Sequence, residues 1–269
     1  MTIDAARGRS FDAWADEYDR YRPTYPDELF ATIQSRLELS ERPHVADLGA
    51  GTGRASLAMA MLGWRVTAIE PGRQMLEQLR ARASDDGLVV ATVQATAEET
   101  GLDPASVDLA TAGQAFHWFD KERAVAEMAR IVRPGGGVAL FWNVRDEEAS
   151  PFVAGYHALL EERFGSADTG RYLQAGRPSG QDATRHAFEG LASFNPLEKV
   201  ELQHELAMAA EEFMGMAFTA SYVRALPEVE QVRFRGDLAE LLAGHGHAAP
   251  QPFSIPYRVD LWITRRSDA

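Results

Sequence analysis

The chain has 269 residues, a formal net charge of -13 and no cysteine. The length suits one α/β domain with a moderate insertion, and the missing cysteines exclude disulfides and thiolate chemistry. The acidic balance excludes a nucleic-acid partner, because such proteins need lysine and arginine to neutralise phosphates. No apolar run is long enough to span a bilayer and no signal-peptide pattern is present, so we expect a cytoplasmic protein without a membrane partner.

Residues 1–40 are predicted to form a helical segment. Aromatic residues recur there at near-helical spacing, before two prolines interrupt the pattern: Phe11, Trp14, Tyr18 and Tyr21, then Pro23 and Pro26. Such a stripe ordinarily packs against the edge of a sheet. A second helix is predicted from Asp27 to Leu39, leading into the first strand.

Residues 41–144 alternate strands with helices. The strands are predicted at His44–Leu48, Arg65–Ile69, Val89–Val93, Val107–Ala112 and Gly137–Trp142. The helices are predicted at Ala55–Leu62, Arg73–Ala83 and Lys121–Val132, the last one stopped by Pro134 and Gly135. Alternation at this pace indicates βαβ units with right-handed crossovers and a parallel sheet. The predicted fold class is therefore doubly wound α/β.

The pattern changes after Asn143. Residues 145–193 contain a predicted helix at Phe152–Phe164 and then a stretch rich in Gly, Ser, Asp and Arg without a strand. Residues 211–242 are predicted to be helical. The sequence His245–His247 has no third ligand nearby, so we interpret it as a solvated loop and predict no metal.

The run VADLGAGTGR, Val45–Arg54, is the most informative stretch of the chain. It reads as a buried strand followed by a glycine-rich turn that opens a helix. Glycines leave no Cβ in the way and adopt positive φ, so such a turn brings backbone N–H groups against a ligand. Glu70 follows the next strand, where a carboxylate accepts hydrogen bonds from two ribose hydroxyls. Together these features indicate a nucleoside cofactor.

The glycine spacing narrows the choice of cofactor. A dinucleotide fingerprint requires G-x-G-x-x-G, whereas Gly49, Gly51 and Gly53 give G-x-G-x-G. The carboxylate of Asp47, two residues earlier, is unfavourable beside a pyrophosphate and tolerable beside a cationic sulfonium. A nucleotide-dependent oxidoreductase is therefore the weaker alternative among enzymes.

At this point the residues resemble motif I of the class I S-adenosylmethionine-dependent methyltransferases. The resemblance continues through LVVATVQATAEETGL, SVDLATAGQAFHWF and IVRPGGGVALFW, in order and at family spacing. Within the superfamily the chain looks most like the small-molecule branch that contains trans-aconitate methyltransferase. A protein that binds the cofactor without catalysis, as a regulator, is the alternative from a different class.

The resemblance implies a mostly parallel, seven-stranded, Rossmann-like sheet. It implies that residues 41–144 bind S-adenosyl-L-methionine and that residues 1–40 lie over the cofactor site. Residues 145–193 are then a helical cap inserted after strand five. Residues 194–269 complete the sheet with the last two, antiparallel, strands at Glu198–Met208 and Phe253–Thr264. We expect a monomer or homodimer acting on a small molecule.

The resemblance also implies which residues contact the cofactor. Asp47 either orders the glycine turn or holds the ammonium group through water, and Glu70 takes the ribose hydroxyls. The adenine lies near Met75 and the turn after strand three, and the methyl group lies near the end of strand four. The predicted cofactor-binding residues are Tyr18, Arg22, Asp47, Gly49, Gly51, Gly53, Glu70, Pro71, Met75, Thr96, Ala97, Glu98, Gly113 and Gln114.

Several of these positions have a second interpretation. Met75 is equally well explained as a core methionine at helical spacing. Glu98 is explained either by cofactor contact or by acidity at a helix cap. Tyr18 and Arg22 either belong to a stripe that packs on the sheet or reach the cofactor carboxylate, which a guanidinium pairs in a bidentate fork.

His117 is the predicted catalytic residue. Methyl transfer from a sulfonium needs an aligned nucleophile, and it needs a base only if the acceptor loses a proton. Imidazole titrates near neutrality and suits that task. The competing interpretation, which we rank ahead, makes His117 a wall of the pocket. Trp142, Asn143, Tyr156 and Tyr222 are expected to line an aromatic, mostly apolar acceptor pocket; whether O, N, C or a carboxylate is methylated stays open.

Overall fold

The structure is a computed structural model that describes residues 23–174, 178–248 and 250–267. Of residues 166–174, 178–181 and Ser221 it describes the backbone alone. The predicted aromatic helix, with Tyr18 and Arg22, lies outside the described residues.

Seven strands form a single sheet in the order β3-β2-β1-β4-β5-β7-β6. Only β7 runs against its neighbours, since it pairs antiparallel with both β5 and β6. This confirms the doubly wound, mostly parallel, seven-stranded α/β fold. The strands are β1 His44–Leu48, β2 Arg65–Ile69, β3 Val90–Val93, β4 Val107–Gly113, β5 Val132–Arg145, β6 Glu198–Met208 and β7 Phe253–Arg265.

Helices fill the connections, and most of them lie where the sequence predicts a helix; α6 was not predicted, and α5 extends ten residues beyond its predicted end at Phe164. They are α1 Asp27–Arg36, α2 Arg54–Met61, α3 Arg73–Asp85, α4 Lys121–Ile131, α5 Pro151–Gln174, α6 Pro178–His186, α7 Ala210–Phe218, α8 Ser221–Arg224 and α9 Glu228–Gly244. Helix α5 is interrupted at Gly165, whose φ of 66° is incompatible with a helix. No helix in the described part of the chain is long and apolar enough to cross a membrane.

Strand β5 begins earlier than its sequence predicts. Pro134 and Gly135 were expected to lie between helix and strand, yet the strand already pairs at Val132 with Val107 of β4. The register then shifts before Gly137 pairs with Leu109, so the proline and glycines form an irregularity inside the strand. Proline is tolerated because the segment breaks the ladder there.

The sheet is buried on both faces in its centre. Alternate residues of β5 point to opposite sides, so Leu140 and Trp142 pack in the cluster that contains α4, whereas Ala139 and Phe141 pack in the cluster that contains α1. A strand covered on both faces has a continuous apolar run, which is what the sequence VALFW shows.

A third hydrophobic cluster joins α5 to α7, α8 and α9 and to the ends of β6 and β7 nearest them. Its members include Phe152, Tyr156, Phe213, Met216, Val223, Phe234, Leu238, Ile255 and Tyr257. We call these four helices with their shared cluster the helical cap. In the histidine loop after α9, His245 and Gly246 are exposed, as the prediction of a solvated loop requires, whereas His247 is half-buried and stacks on Phe253 with ring centroids 3.9 Å apart.

Candidate cofactor and acceptor site

The glycine-rich turn is tied to β2. Gly49 and Ala50 donate their backbone N–H groups to the carbonyl of Ile69, at 2.8 and 3.1 Å. The backbone at Gly49, Gly51 and Gly53 has φ of 68°, 56° and 90°, the left-handed region that favours glycine. The sequence therefore needs glycine at all three positions.

The three glycines differ in the space that surrounds them. A Cβ on Gly49 would lie 2.7 Å from the Cβ of Ala115, and one on Gly53 would lie 2.6 Å from Cγ of Leu79. A Cβ on Gly51 would meet no atom of the described residues within 4 Å. Gly49 thus lets the turn pack closely against Ala115, and Gly53 lets the start of helix α2 pack closely against Leu79 of α3. The open space lies above Gly51.

Glu70 borders this open space. Its Oε2 accepts a hydrogen bond from the N–H of Gly51 at 3.0 Å, and its Oε1 accepts one from the N–H of Gly72 at 2.9 Å. The half-buried carboxylate stands at the carboxyl end of β2, where open α/β sheets bind their ligands. Pro71 lies beside it and accepts a hydrogen bond from Nε2 of Gln94 at 3.1 Å.

Asp47 points into the fold. Its carboxylate is 1% exposed and accepts hydrogen bonds from Oγ of Ser56 at 2.5 Å and Oγ1 of Thr111 at 2.9 Å. Burial raises its pKa to about 6 although both hydroxyls lower it. These bonds join β1 to α2 and β4, so of its two predicted roles the contacts match the ordering of the turn.

The turn after β3 carries the residues predicted at the adenine. Ala97 is buried, Thr96 is exposed, and Met75 on the facing helix α3 is buried at 5% exposure. Glu98 accepts a hydrogen bond from the backbone N–H of Asp120 at 2.8 Å, at the start of α4. The carboxylate of Glu98 thus caps a helix in the manner of its alternative interpretation.

A buried ion pair fastens this turn to α4. Glu127 accepts hydrogen bonds from the N–H and the hydroxyl of Thr100, at 2.8 and 2.5 Å, and from Nε of Arg130 at 2.7 Å. Arg130 also donates to the carbonyl of Leu102 at 2.7 Å. Hydrogen bonds from Arg130 and Thr100 outweigh burial and lower the pKa of Glu127 to about 2.

The end of β4 is crowded and strained. A Cβ on Gly113 would lie 2.6 Å from the Phe141 ring and 2.8 Å from the Tyr25 hydroxyl. Gln114 adopts a φ of 54°, which is unusual for a residue other than glycine. Its side chain donates to the carbonyl of Asn143 at 2.9 Å, which fixes the two strand ends together. Strain of this kind clusters at functional sites.

Asn143 connects this edge to the segment before α1 and to β6. Its Nδ2 donates to the carbonyl of Thr24 at 3.0 Å, and its Oδ1 lies 3.1 Å from Nε2 of His204. Because Oδ1 only accepts, Nε2 of His204 is the donor in this amide orientation. Burial lowers the pKa of His204, so the ring is neutral at physiological pH.

His117 stands on a short 3₁₀ turn, Phe116–Trp118, after β4. Its Nδ1 accepts a hydrogen bond from the indole Nε1 of Trp142 at 3.4 Å. Its ring is tilted against that of Trp118, with centroids 5.0 Å apart. Since an indole N–H can only donate, Nδ1 is the lone-pair nitrogen and is already engaged. These contacts suit the interpretation of His117 as a pocket wall, and its role stays a prediction.

Arg145 ends β5 inside the helical cap. Its guanidinium carbon lies 5.2 Å from the ring centroid of Tyr156, 5.8 Å from that of Phe213 and 5.9 Å from that of Tyr257. Burial lowers its pKa, the neighbouring tyrosines raise it, and the net direction is upward, so the group is a fixed cation. The structure does not bring all the predicted acceptor residues together: Tyr156 and Tyr222 pack in the helical cap, whereas Trp142 packs in the cluster that contains α4.

The sequence reasoning missed Tyr25, His204 and Arg145. Arg145 had a signal, since it is a charge that closely follows the apolar run VALFW. Tyr25 and His204 had none, because a proline-flanked tyrosine and a histidine in an exposed-looking strand are ordinary surface residues. Among the described residues, no group of three or more His, Cys, Asp or Glu side chains is placed to hold a metal ion.

Comparison with known proteins identifies the family. A methyltransferase domain model matches residues 46–140. A crystallised putative type II methyltransferase from Anaeromyxobacter dehalogenans is 30% identical and superposes with a TM-score of 0.69, over 91% of this chain and 98% of that one. The chain belongs to the class I S-adenosylmethionine-dependent methyltransferases. This family uses S-adenosylmethionine, so the methyltransferase assignment also confirms the predicted cofactor.

Two further relatives show how much of the chain resembles methyltransferases of other organisms. An uncharacterized methyltransferase of Mycobacterium tuberculosis (strain ATCC 25618 / H37Rv) is 42% identical over 138 residues, 51% of this chain. The match spans 54% of that protein, about half its length. A malonyl-[acyl-carrier protein] O-methyltransferase of Salmonella typhimurium is 29% identical over 214 residues, 78% of this chain and 76% of that one.

Proposed function

We propose that this methyltransferase binds S-adenosylmethionine over the glycine turn and transfers its methyl group to a small-molecule acceptor by direct displacement, without a metal. The observation that carries the proposal is the open space above Gly51, bordered by the carboxylate of Glu70. A ligand seated there meets a strand-end acid and a turn whose backbone no side chain covers. Both features suit a nucleoside.

The residues present fit the ribose of such a cofactor. Each oxygen of Glu70 accepts one backbone N–H, and a carboxylate oxygen accepts more than one hydrogen bond, so the placement of the two oxygens suits a pair of vicinal hydroxyls. The two N–H bonds hold the carboxylate still before the ligand arrives. Preorganisation of this kind lowers the entropic cost of binding.

When bound, S-adenosylmethionine supplies an electrophilic methyl group on a sulfonium. The chain's own contribution is alignment, because an in-line displacement needs the nucleophile held about 3–3.5 Å from the carbon it attacks. Gly113, Gln114 and Asn143 stand at the carboxyl ends of β4 and β5 and build a rigid edge for that purpose. His117 shapes the wall beside them.

The helical cap covers the acceptor side of this edge in our proposal. It comprises α5 together with α7, α8 and α9, because these helices share one cluster and Arg163 of α5 forms ion pairs with Glu230 and Asp237 of α9. The cap therefore includes helices beyond the insertion at residues 145–193. Tyr18 and Arg22 remain proposed cofactor contacts, in a cytoplasmic monomer or homodimer.

Calorimetric titration tests the proposal. We expect S-adenosylmethionine and its demethylated product, S-adenosylhomocysteine, to bind with one site per chain, and NAD to give no heat of binding. Binding of NAD in preference to either would overturn the proposal. Release of S-adenosylhomocysteine with any small-molecule acceptor would then exclude the non-catalytic regulator.

A further inference from the structure

Among the described residues, Arg145 has no carboxylate beside it, whereas three other partly buried arginines form ion pairs. Arg130, Arg163 and Arg258 each form an ion pair, with Glu127, Asp237 and Asp260 respectively. Within the described ranges, no carboxylate lies within 4 Å of Arg145. Its buried Nε has no hydrogen-bond partner there, and one of its Nη atoms faces the sulfur of Met216 at 3.4 Å.

Aromatic rings do not replace a counterion. A cation–π contact contributes about 0.5–2 kcal/mol, whereas removing an unpaired charge from water costs several kcal/mol. The chain has 40 acidic residues against 27 basic ones, so acidic side chains are not scarce. A cation left unpaired in such a chain is suited to an anion that arrives from outside.

Arg145 lies close to the methyl-transfer edge. It follows Asn143 by two residues on β5, so the two side chains are on the same face, with Cα atoms about 7 Å apart. On the neighbouring strand, Tyr257 pairs with Arg145, and its ring centroid is 5.6 Å from that of His204. A small bifunctional molecule is long enough to bridge this distance.

We propose that Arg145, together with Tyr156, Tyr222 and Tyr257, binds a carboxylate of the methyl acceptor. The inference rests on the proposed function and narrows its substrate to the carboxylic acids. In this arrangement the anchored carboxylate is not the group that is methylated, because the guanidinium engages its oxygen lone pairs. The acceptor is therefore an acid that carries a second nucleophilic group, presented toward Gln114 and Asn143.

The charge and shape of this site favour a carboxylate over a phosphate. One guanidinium neutralises one negative charge and matches the planar fork of two carboxylate oxygens. A phosphate dianion would bring an extra charge into a buried, aromatic surrounding. The chain has only two lysines that could supply a second positive charge for a phosphate. Lys121 lies at the start of α4, and Lys199 pairs with Asp260.

The test measures anion binding to the protein saturated with S-adenosylhomocysteine, by calorimetry at constant ionic strength. The probes are acetate, benzoate, succinate, neutral succinamide and inorganic phosphate. We expect at least one carboxylate to bind the parent, Arg145→Met to weaken it at least about tenfold, and Arg145→Lys to give an intermediate value. Succinamide is expected not to bind. The affinity for S-adenosylhomocysteine should stay unchanged in both variants.

Arg163→Met is the matched control, since it removes a cap arginine that already has carboxylate partners. It should leave carboxylate binding as in the parent. Should Arg145→Met fail to fold, two milder variants replace it. Arg145→Lys keeps the positive charge and changes the geometry of its donors, and Tyr257→Phe removes one phenol hydroxyl from the proposed site; each should weaken carboxylate binding.

Two results would overturn the inference while the proposed function stands. One is that S-adenosylhomocysteine binds but none of the three carboxylates does, or that they bind regardless of Arg145. The other is that phosphate binds more tightly than any carboxylate in an Arg145-dependent way. Failure of S-adenosylhomocysteine to bind would instead refute the proposed function, and an Arg145-dependent carboxylate signal would still support the anion site.

Discussion

Replacing Glu70 with alanine should weaken cofactor binding sharply. The carboxylate has acceptor capacity for both ribose hydroxyls, and a hydrogen bond to a charged group contributes about 1.5–3 kcal/mol. Part of that loss is regained from water, because the site is half-exposed. We therefore expect the affinity for S-adenosylhomocysteine to fall by about 10- to 100-fold, measured by calorimetry.

The same substitution removes the acceptor of two backbone N–H groups, those of Gly51 and Gly72. Gly51 borders the open site, where water can replace the carboxylate, whereas Gly72 is buried; we therefore expect a modest loss of stability and a folded protein. Glu70→Gln should be milder, although its amide NH₂ then opposes one of the two N–H donors. Comparison of the two variants separates loss of charge from loss of shape.

Glu77→Ala is the control, because Glu77 is an exposed acid on α3 whose ion pair with Arg73 lies on the surface. It should change neither affinity nor melting temperature appreciably. If Glu70→Ala binds S-adenosylhomocysteine as tightly as the parent while its circular dichroism is unchanged, the assignment of the ribose site is wrong.

Four further predictions follow from the contacts around the site. Glu127→Gln should lower stability at pH 7 by about 1–3 kcal/mol in urea unfolding. Because its folded pKa of about 2 lies below the ordinary 4.5, the parent should lose this stabilisation as the pH falls through that window and the variant should not. Asp47 acts in the opposite sense: its pKa is raised from 3.8 to about 6, so its contribution falls by about 3 kcal/mol as the pH rises through that window, and Asp47→Asn should abolish the slope. Gly113→Ala should cost about 1–3 kcal/mol by overpacking against Phe141 and Tyr25, seen as a lower melting temperature. His117→Gln, the substitution of a pocket wall, should lower kcat/KM less than about tenfold and leave the pH profile without a lost limb.

Each of these has an outcome that would contradict it. Equal acid sensitivity of Glu127→Gln and the parent would remove the ion pair from the account, and a pH slope retained in Asp47→Asn would assign it to another group. For Gly113→Ala the control is Gly236→Ala, where a Cβ meets no atom of the described part of the chain within 4 Å and helix propensity should raise stability. A loss of two or more orders of magnitude on His117→Gln, with a neutral-pH limb abolished, would make His117 the base.

Local patterns were sufficient to predict the sheet. Alternating apolar strands and amphipathic helices specify βαβ units, and the turn Gly49–Gly53 marks the ligand edge because its glycines are required by positive φ. The largest shift of a strand boundary, the start of β5 at Val132 instead of Gly137, depends on pairing with β4 across 25 residues. No local pattern reports such pairing.

The partners of the site residues depend on contacts distant in sequence. Glu98 caps α4 through Asp120, and Asn143 reaches Thr24, 119 positions away. The helical cap joins α5 to α9 through packing that each amphipathic helix satisfies equally well elsewhere. For the same reason the surroundings of Arg145 depend on the pairing of β5 with β7, which no local sequence pattern predicts.

A crystal structure of the complex with S-adenosylhomocysteine tests the central claim most directly, through the distances from the Glu70 oxygens to the two ribose hydroxyls. We predict that both distances fall within about 2.5–3.0 Å, with the nucleoside over Gly51. A nucleoside bound elsewhere, with neither ribose hydroxyl bonded to the Glu70 carboxylate, would contradict the account.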